Sequence, residues 1–356
     1  MTTTYSPAPR LTPSDTLKVP PFAVVSGAQV RRVLQGREQH IVELVQAAYR
    51  LHAAGDSVNP PSSFLRLHDR PAARIIALPA SLGGETRVDG LKWISSFPRN
   101  VTAGIPRASA VLILNDHDTG YPFACLESSI ISASRTAASA ALAADWLSRH
   151  RARPTHVGFV GTGLIARYIH TFLAGTGWSF ENIGVFDVDA DSAAAFRCCL
   201  EQSGAVGRVT VHDSAEQVIR LSDLVVFATV AARPHIHDPA WFAHSPVVLH
   251  ISLRDLAPTV LLAATNIVDD VEHCLRAGTS PHLTEQLTGN RQFLHGTLDD
   301  VMAGRTIPPP GRAVVFSPFG LGVLDLAVGK YVYDQVAESG ELHLVDDFFH
   351  ELNRYG

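Results

Sequence analysis

Charge is scarce in this chain: only 18% of its 356 residues are charged, and 29 Lys and Arg against 34 Asp and Glu leave a net charge of −5. A balance of that sign argues against nucleic acid or an anionic membrane surface as the main partner, while local basic pockets remain allowed. No apolar run approaches the roughly 18–20 residues that a membrane-spanning helix needs, so none is expected. The four cysteines, Cys125, Cys198, Cys199 and Cys274, form no CxxC pair and no metal-ligand spacing. The adjacent Cys198 and Cys199 make a poor disulfide, and reduced thiols in a cytoplasmic protein are the expectation. The first residues, MTTTYSPAPRLTPSDTLKVPP, lack the apolar core of a secretory signal and read as a flexible lead-in over 1–21. Internal repeats are missing too. The 17 histidines are scattered; His235 and His237 are the only tight pair. They lie on a proline-flanked loop and are expected to be solvated, with no metal site.

What is present is a change of texture along the chain. From Val24 to Leu51 the pattern predicts a short strand and an amphipathic helix around Ile41, Val42, Leu44, Val45 and Ala48. Extended segments follow at 63–67, 74–78, 90–94 and 108–114, separated by turn signals at 81–84 and 116–120. This half reads as α+β. The segment SASRTAASAALAADWL, 132–147, has strong helix propensity and small side chains, and is expected to bridge two domains. Beyond Thr155, apolar β runs alternate with helical segments, which predicts a doubly wound parallel sheet. After Pro308-Pro309-Pro310-Gly311 come a strand, a glycine-rich turn and a long helix, which is expected to pack back on the first domain or on a partner subunit. The expected organisation is therefore a substrate-binding and dimerisation domain over 22–136 and 312–356, and a Rossmann-type domain over 137–311.

The strongest local signal is VGFVGTGLIA. A short apolar strand, Val157 to Val160, runs directly into Gly161-Thr162-Gly163-Leu164-Ile165-Ala166, and a helix-compatible segment follows. Gly161 suits a tight turn, Gly163 lets backbone N–H groups approach a pyrophosphate, and Ala166 fits where the helix presses on the sheet. Asp187 ends the next strand about 26 positions after Gly161, where a carboxylate accepts from a ribose diol. Against a 2′-phosphate it would repel by about 4 kcal/mol for one charge pair at 4 Å and an effective dielectric near 20. No arginine in FDVDADSA compensates, so the expected cofactor is NAD. The expected cofactor-binding set is Gly161, Thr162, Gly163, Leu164, Ile165, Asp187, Thr229 and Arg135. The competing reading is a purely structural strand–turn–helix.

Candidate cations in the first half are Arg66, Arg74, Lys92, Arg107 and Arg135. Lys92 lies in an apolar strand, on the face opposite Leu91 and Trp93; either it faces a ligand or it is a solvated edge-strand lysine. Arg135 is the lone charge in a helix of alanine and serine, so it either meets a substrate carboxylate or cofactor phosphate, or forms a surface ion pair. Asp255 follows the strand HISL at its carboxyl end, where open parallel sheets bind ligands. There it could orient or deprotonate water or an amine, or cap the helix that begins at Ala257-Pro258.

The segments GLKWISSFP, SASRTAASAALAA, GFVGTGLIA, HISLRDLAP, NIVDDVEHC and FSPFGLGVLDLA, in this order, resemble the ornithine cyclodeaminase/mu-crystallin family. NPPSSFLRL, RIIALPASLGG, SFPRNVTAGIPRASAVLILND and TGYPFACLESSIISASRTAASAALAA resemble one branch of it, the N-(2-amino-2-carboxyethyl)-L-glutamate dehydrogenases. The resemblance implies a Rossmann NAD domain joined to a substrate domain, as a homodimer. It implies that Lys92 and Arg135, with Arg66 on looser matching, hold the substrate carboxylate, and that Lys92 and Asp255 carry the chemistry. The implied reaction is NAD-dependent cleavage to L-2,3-diaminopropionate and 2-oxoglutarate, for siderophore or peptide-antibiotic precursors, with a pyridoxal-phosphate-dependent synthase making the substrate. Two readings stay open beside it: ornithine cyclisation or imine reduction, and a crystallin-like binding protein without turnover. Ornithine-cyclising members follow the aspartate with Pro-Gly-Lys; here Asp255 is followed by Leu256-Ala257-Pro258, a departure that weakens the cyclodeaminase reading.

Overall fold

The computed structural model describes residues 18–204, 207–350 and 352. Most of the expected lead-in, 1–21, lies outside the described residues. Two eight-stranded sheets organise the rest. In the first, Phe22–Val25 runs parallel to Pro122–Glu127 and antiparallel to His343–Val345. Beyond Pro122–Glu127 come Ala108–Asp116, Val88–Ser96 and Arg70–Leu82, each antiparallel to its neighbour. Ser57–Val58 and Ser63–Leu67 both pair with Arg70–Leu82. The expected four extended segments are all strands, each at least as long as its sequence pattern suggested. The single expected helix near the start is the second of two, Gly27–Leu34 and Glu38–Ala53.

The second sheet is entirely parallel. Its order is Arg208–Val211, Asn182–Phe186, His156–Val160, Leu224–Phe227, Val247–His250, Val314–Ser317, Thr265–Val268, Leu294–Thr297. Chain order reverses between His156–Val160 and Leu224–Phe227, which is the switch point where doubly wound sheets open a ligand crevice. Its inner strands, LVVF, VVLH, TNIV and VVFS, are buried at every residue because both faces are covered. This is the Rossmann-type sheet plus α+β domain that the sequence predicted.

One boundary moves. Val314–Ser317, expected in the first domain from residue 312 onward, lies inside the parallel sheet between Val247–His250 and Thr265–Val268. An apolar VVFS run can complete either sheet, and only tertiary pairing decides. The helix after it, Gly322–Glu338, is the part that returns to the first sheet.

The alanine-rich helix Ser129–Ser148 is buried along most of its length. Alanines let it press closely on both domains, and one continuous apolar core runs from Leu112 and Ile131 through Ala140 to Phe159, Ile169 and Leu249. The site residues of both sheets are thereby held in a fixed relation. Among the described residues, no helix is long and apolar enough to cross a membrane.

Candidate active site

Three loops at the carboxyl ends of the parallel strands build one wall of the crevice. The first is the glycine turn. Gly161 has φ +88°, and a Cβ there would lie 2.7 Å from the Ala228 carbonyl oxygen and 2.9 Å from the Thr229 nitrogen. Only glycine fits both the backbone and the neighbour. Gly163 faces open space, with no atom within 4 Å of where a Cβ would stand. It is the N-cap of the helix Leu164–Gly175 and offers no side chain to its N–H groups. A twelve-residue helix thus ends in free donors at an unobstructed approach, which fits a dinucleotide pyrophosphate. Ala166 is buried against the sheet, while Leu164 is exposed beside the opening.

Asp187 follows the strand Asn182–Phe186. Its Oδ2 accepts from the Thr162 N–H and the Thr162 hydroxyl, both at 2.8 Å, and its Oδ1 accepts from the Asp189 N–H at 3.0 Å. The carboxylate therefore ties the glycine turn to the second strand. Oδ1 retains a further lone pair for a ribose hydroxyl.

The second and third loops meet at Asp255, which is wholly buried. The Thr229 hydroxyl donates to Oδ1, and the Ser252 hydroxyl donates to Oδ2. His235 Nε2 lies 3.0 Å from Oδ1. His250 Nε2 lies 3.3 Å from Oδ2 and accepts from the Asp255 N–H at 3.2 Å. Burial alone would raise this carboxyl, but the surrounding donors, His235 and Ser252 among them, outweigh it and hold Asp255 well below the usual carboxylate range. It stays ionised at any physiological pH. The helix-cap alternative does not hold: the cap of Pro258–Leu262 is Ala257, without a side-chain bond. His235 also departs from expectation, since one ring nitrogen reaches Asp255 while the side chain remains 40% exposed. His237 is exposed, as a loop histidine should be.

The opposite wall comes from the first domain. Lys92 sits in Val88–Ser96, flanked on both sides by strands, and is 1% exposed. The edge-strand alternative is therefore excluded. Its Nζ donates to Asp325 Oδ2 at 2.6 Å and to the Ser132 hydroxyl at 3.2 Å. Arg135 Nε donates to Asp325 Oδ1 at 3.2 Å. The surface ion pair considered for Arg135 is instead a buried one. Two cations on one carboxylate leave a buried net positive charge, which is costly unless an anion completes it. Burial, followed by the neighbouring Arg135, lowers Lys92 to about 8, against the opposing pull of Asp325. Gly320, at φ +93°, lets the chain pass so close to Arg135 that a Cβ would stand 2.6 Å from Nη1. Asp269 holds that turn by accepting from the Phe319 and Gly320 N–H groups at 2.9 and 2.7 Å.

Of the expected residues, the structure brings Gly161, Thr162, Gly163, Asp187, Thr229 and Asp255 onto one wall. Lys92 and Arg135 meet each other on Asp325. Arg66 is exposed farther out, 5.3 Å above the Phe64 ring. Asp325, His235, His250 and Ser252 were not anticipated as site residues. Asp325 had a legible signal: it is the one charge within the apolar stretch GLGVLDLAVG. The histidines around Asp255 had none, because His235 reaches it from the loop after Leu224–Phe227 and His250 from the end of the strand Val247–His250, which only the fold brings together.

The fold and its side-chain clusters define an α/β protein with a dinucleotide-type glycine turn in its parallel sheet and a buried Lys–Asp–Arg triad beside its antiparallel one. The chain belongs to the ornithine cyclodeaminase/mu-crystallin family, whose model matches residues 26–340. An N-((2S)-2-amino-2-carboxyethyl)-L-glutamate dehydrogenase of Staphylococcus aureus is 29% identical, over 84% of this chain and 91% of that protein. A solved archaeal alanine dehydrogenase dimer with bound NAD is 25% identical, with a TM-score of 0.81 over 92% of this chain and 99% of that one. The Thermococcus litoralis Δ1-pyrroline-2-carboxylate reductase, solved with NADH and L-proline, shares the fold at 21% identity, with a TM-score of 0.84 over 91% of this chain and 100% of that one.

Proposed function

We propose that this protein is an enzyme that uses NAD to oxidise N-(2-amino-2-carboxyethyl)-L-glutamate and release L-2,3-diaminopropionate and 2-oxoglutarate. The observation that carries the reading is the presence in one chain of a buried, net-positive Lys92–Asp325–Arg135 triad and a buried, ionised Asp255. That pairing suits an amino acid, whose carboxylate and amine carry opposite charges. The relative from Staphylococcus aureus supports the particular substrate, and the departure after Asp255 disfavours ornithine cyclisation.

The cofactor is NAD, which when bound takes the hydride from the glutamate-derived α-carbon. Gly161, Thr162, Gly163, Leu164 and Ile165 present the N–H groups that would hold its pyrophosphate, and Asp187 would receive the ribose diol. Thr229, at the end of its strand beside Gly161, borders the same space. Lys92 and Arg135 bind the substrate α-carboxylate and fix the α-carbon's orientation. The amine must lose its proton before hydride transfer. His235, bonded to Asp255 and partly exposed, offers that proton a route to solvent. As the carbon–nitrogen bond gains double-bond character, the Asp255 carboxylate stabilises the developing positive charge. Water then adds to the imine carbon, oriented by Asp255 and its hydroxyl donors. The carbinolamine collapses with cleavage of the carbon–nitrogen bond, so one substrate, one NAD and one water give one NADH, one proton and the two products.

A homodimer fits the outer face of the first sheet. Trp93 and Val111 stand opposite each other there, with Leu65 on the same face two strands away; they are 40%, 39% and 47% exposed. Such an apolar face on a central sheet calls for a cover. A cytoplasmic location, a pyridoxal-phosphate-dependent synthase upstream, and a role in siderophore or antibiotic precursor supply complete the reading.

Incubation with NAD and the proposed substrate should yield NADH and 2-oxoglutarate in equal amounts. Conversion of ornithine to proline with no net NADH would contradict it.

A further inference from the structure

Four guanidinium groups gather at the outer end of the crevice. Arg66 and Arg74 stand directly opposite each other across the antiparallel strands Ser63–Leu67 and Arg70–Leu82. Arg74 is paired in turn with Ser96 on the next strand, and Arg107 donates from Nη1 to the Ser96 hydroxyl at 2.5 Å. Directly paired residues share a face. By strand alternation this is the face that carries Lys92, four residues before Ser96. Arg254 arrives from the other domain, immediately before Asp255. Its Nε and Nη2 donate to the Gly278 and Ala277 carbonyls at 2.9 and 2.7 Å. Those carbonyls belong to two consecutive left-handed residues, with φ 64° and 55°. The left-handed region is unfavourable for alanine, so a strained turn anchors one edge of the Arg254 guanidinium. Its Nη1 is left without a hydrogen-bond partner among the described residues.

Like charges placed opposite one another destabilise a sheet, and here nothing neutralises them. Among the described residues, the polar partners of these four side chains are a serine hydroxyl and two carbonyls, and none forms an ion pair. Asp255 is close enough for Arg254 to feel its charge, but both its oxygens are engaged by other donors. Arg74 is half-buried, and burial, then Arg254, Arg107 and Arg66, all disfavour its charged form. Guanidinium does not surrender its proton, so the conflict persists until an anion arrives.

We propose that Arg74, Arg107 and Arg254, together with Arg66, form a second anion subsite that receives the substrate carboxylates remote from the reacting carbon. It makes the enzyme select amino acids with two or three carboxylates over those with one. This rests on the reading above, in which the triad takes the α-carboxylate; two further carboxylates of the proposed substrate then need partners. The planar fork of arginine suits them, since it binds a carboxylate through two parallel hydrogen bonds.

The test is calorimetric binding of 2-oxoglutarate, glutarate and pyruvate to the NADH-loaded protein. The dicarboxylates should bind at least about 10-fold more tightly than pyruvate. Arg74→Gln and Arg254→Gln, which alter different domains, should each weaken dicarboxylate binding by about 10- to 100-fold, the effect of one lost charge-assisted pair. Pyruvate and NADH affinities should stay within about twofold, and Arg254→Lys should recover part of the loss. With the proposed substrate, the same variants should raise KM and leave kcat within a few-fold. Equal binding of mono- and dicarboxylates by the unaltered protein would overturn the subsite. So would variants that weaken pyruvate and NADH as much as glutarate. Failure to turn over the proposed substrate while dicarboxylate selectivity persists would instead remove the reaction assignment and keep the subsite.

Discussion

Asp325→Asn is the substitution that most directly probes the buried triad. The asparagine keeps the shape of the side chain and removes its charge. Lys92 and Arg135 then face each other with no carboxylate between them, at a site where Asp325 and Lys92 are essentially inaccessible to water. Removing one partner from a buried ion pair costs about 3–5 kcal/mol. Against a total stability of roughly 5–15 kcal/mol, that is a large fraction. It corresponds to a fall in Tm of roughly 5 °C for a chain of this size. The second consequence is electrostatic. Asp325 is what favours the charged form of Lys92, while burial and Arg135 lower it to about 8. Without Asp325, Lys92 loses its proton at lower pH still. The sign follows directly: Lys92 binds the substrate carboxylate only when charged, so kcat/KM falls as pH rises through about 8 in the natural protein. In Asp325→Asn the fall moves to lower pH. Differential scanning calorimetry and a pH profile of kcat/KM check the two effects separately. A Tm unchanged within about 2 °C, with an unmoved profile, would refute the reasoning that these three side chains form one electrostatic unit.

The glycine turn gives a matched pair of outcomes. Gly163→Val projects into open space, so it should preserve Tm and abolish NADH binding measured by fluorescence; Gly161→Ala meets the Ala228 carbonyl and should lower Tm as well. Asp187→Ala should shift the NAD/NADP preference toward NADP, read as the ratio of kcat/KM values, because about 4 kcal/mol of repulsion toward a 2′-phosphate is removed; an unchanged ratio would refute the assignment of Asp187 to the ribose. Trp93→Glu places a charge in the centre of the exposed sheet face and should convert the proposed dimer to a monomer in light-scattering measurements, leaving NADH binding intact.

The fold was legible in the sequence where local signals and tertiary structure agree. The run from His156 to Phe172 reads as strand, turn and helix because apolar periodicity, glycine placement and small-residue packing all point the same way. Lys92 was legible as a residue of interest but not as a buried one. Strand alternation fixes its face, while the cover over that face comes from a helix more than two hundred residues later. The same distance hid Asp325 as its partner. Val314–Ser317 shows the limit for architecture: a four-residue apolar strand carries no mark of which sheet will pair with it. Arg66, Arg74 and Arg107 could be seen as cations, but their union with Arg254 depends on strand register and on the approach of the second domain.

The central claim is that the triad and Asp255 position an amino acid for oxidation by NAD and subsequent cleavage. Its most direct measurement is a single reaction of purified protein, NAD and N-(2-amino-2-carboxyethyl)-L-glutamate, with NADH followed by absorbance and 2-oxoglutarate and diaminopropionate by mass spectrometry. The account predicts all three products in equal amounts, with Asp255→Asn lowering the rate by at least about 100-fold. NADH formation without carbon–nitrogen cleavage, or undiminished turnover in Asp255→Asn, would contradict it.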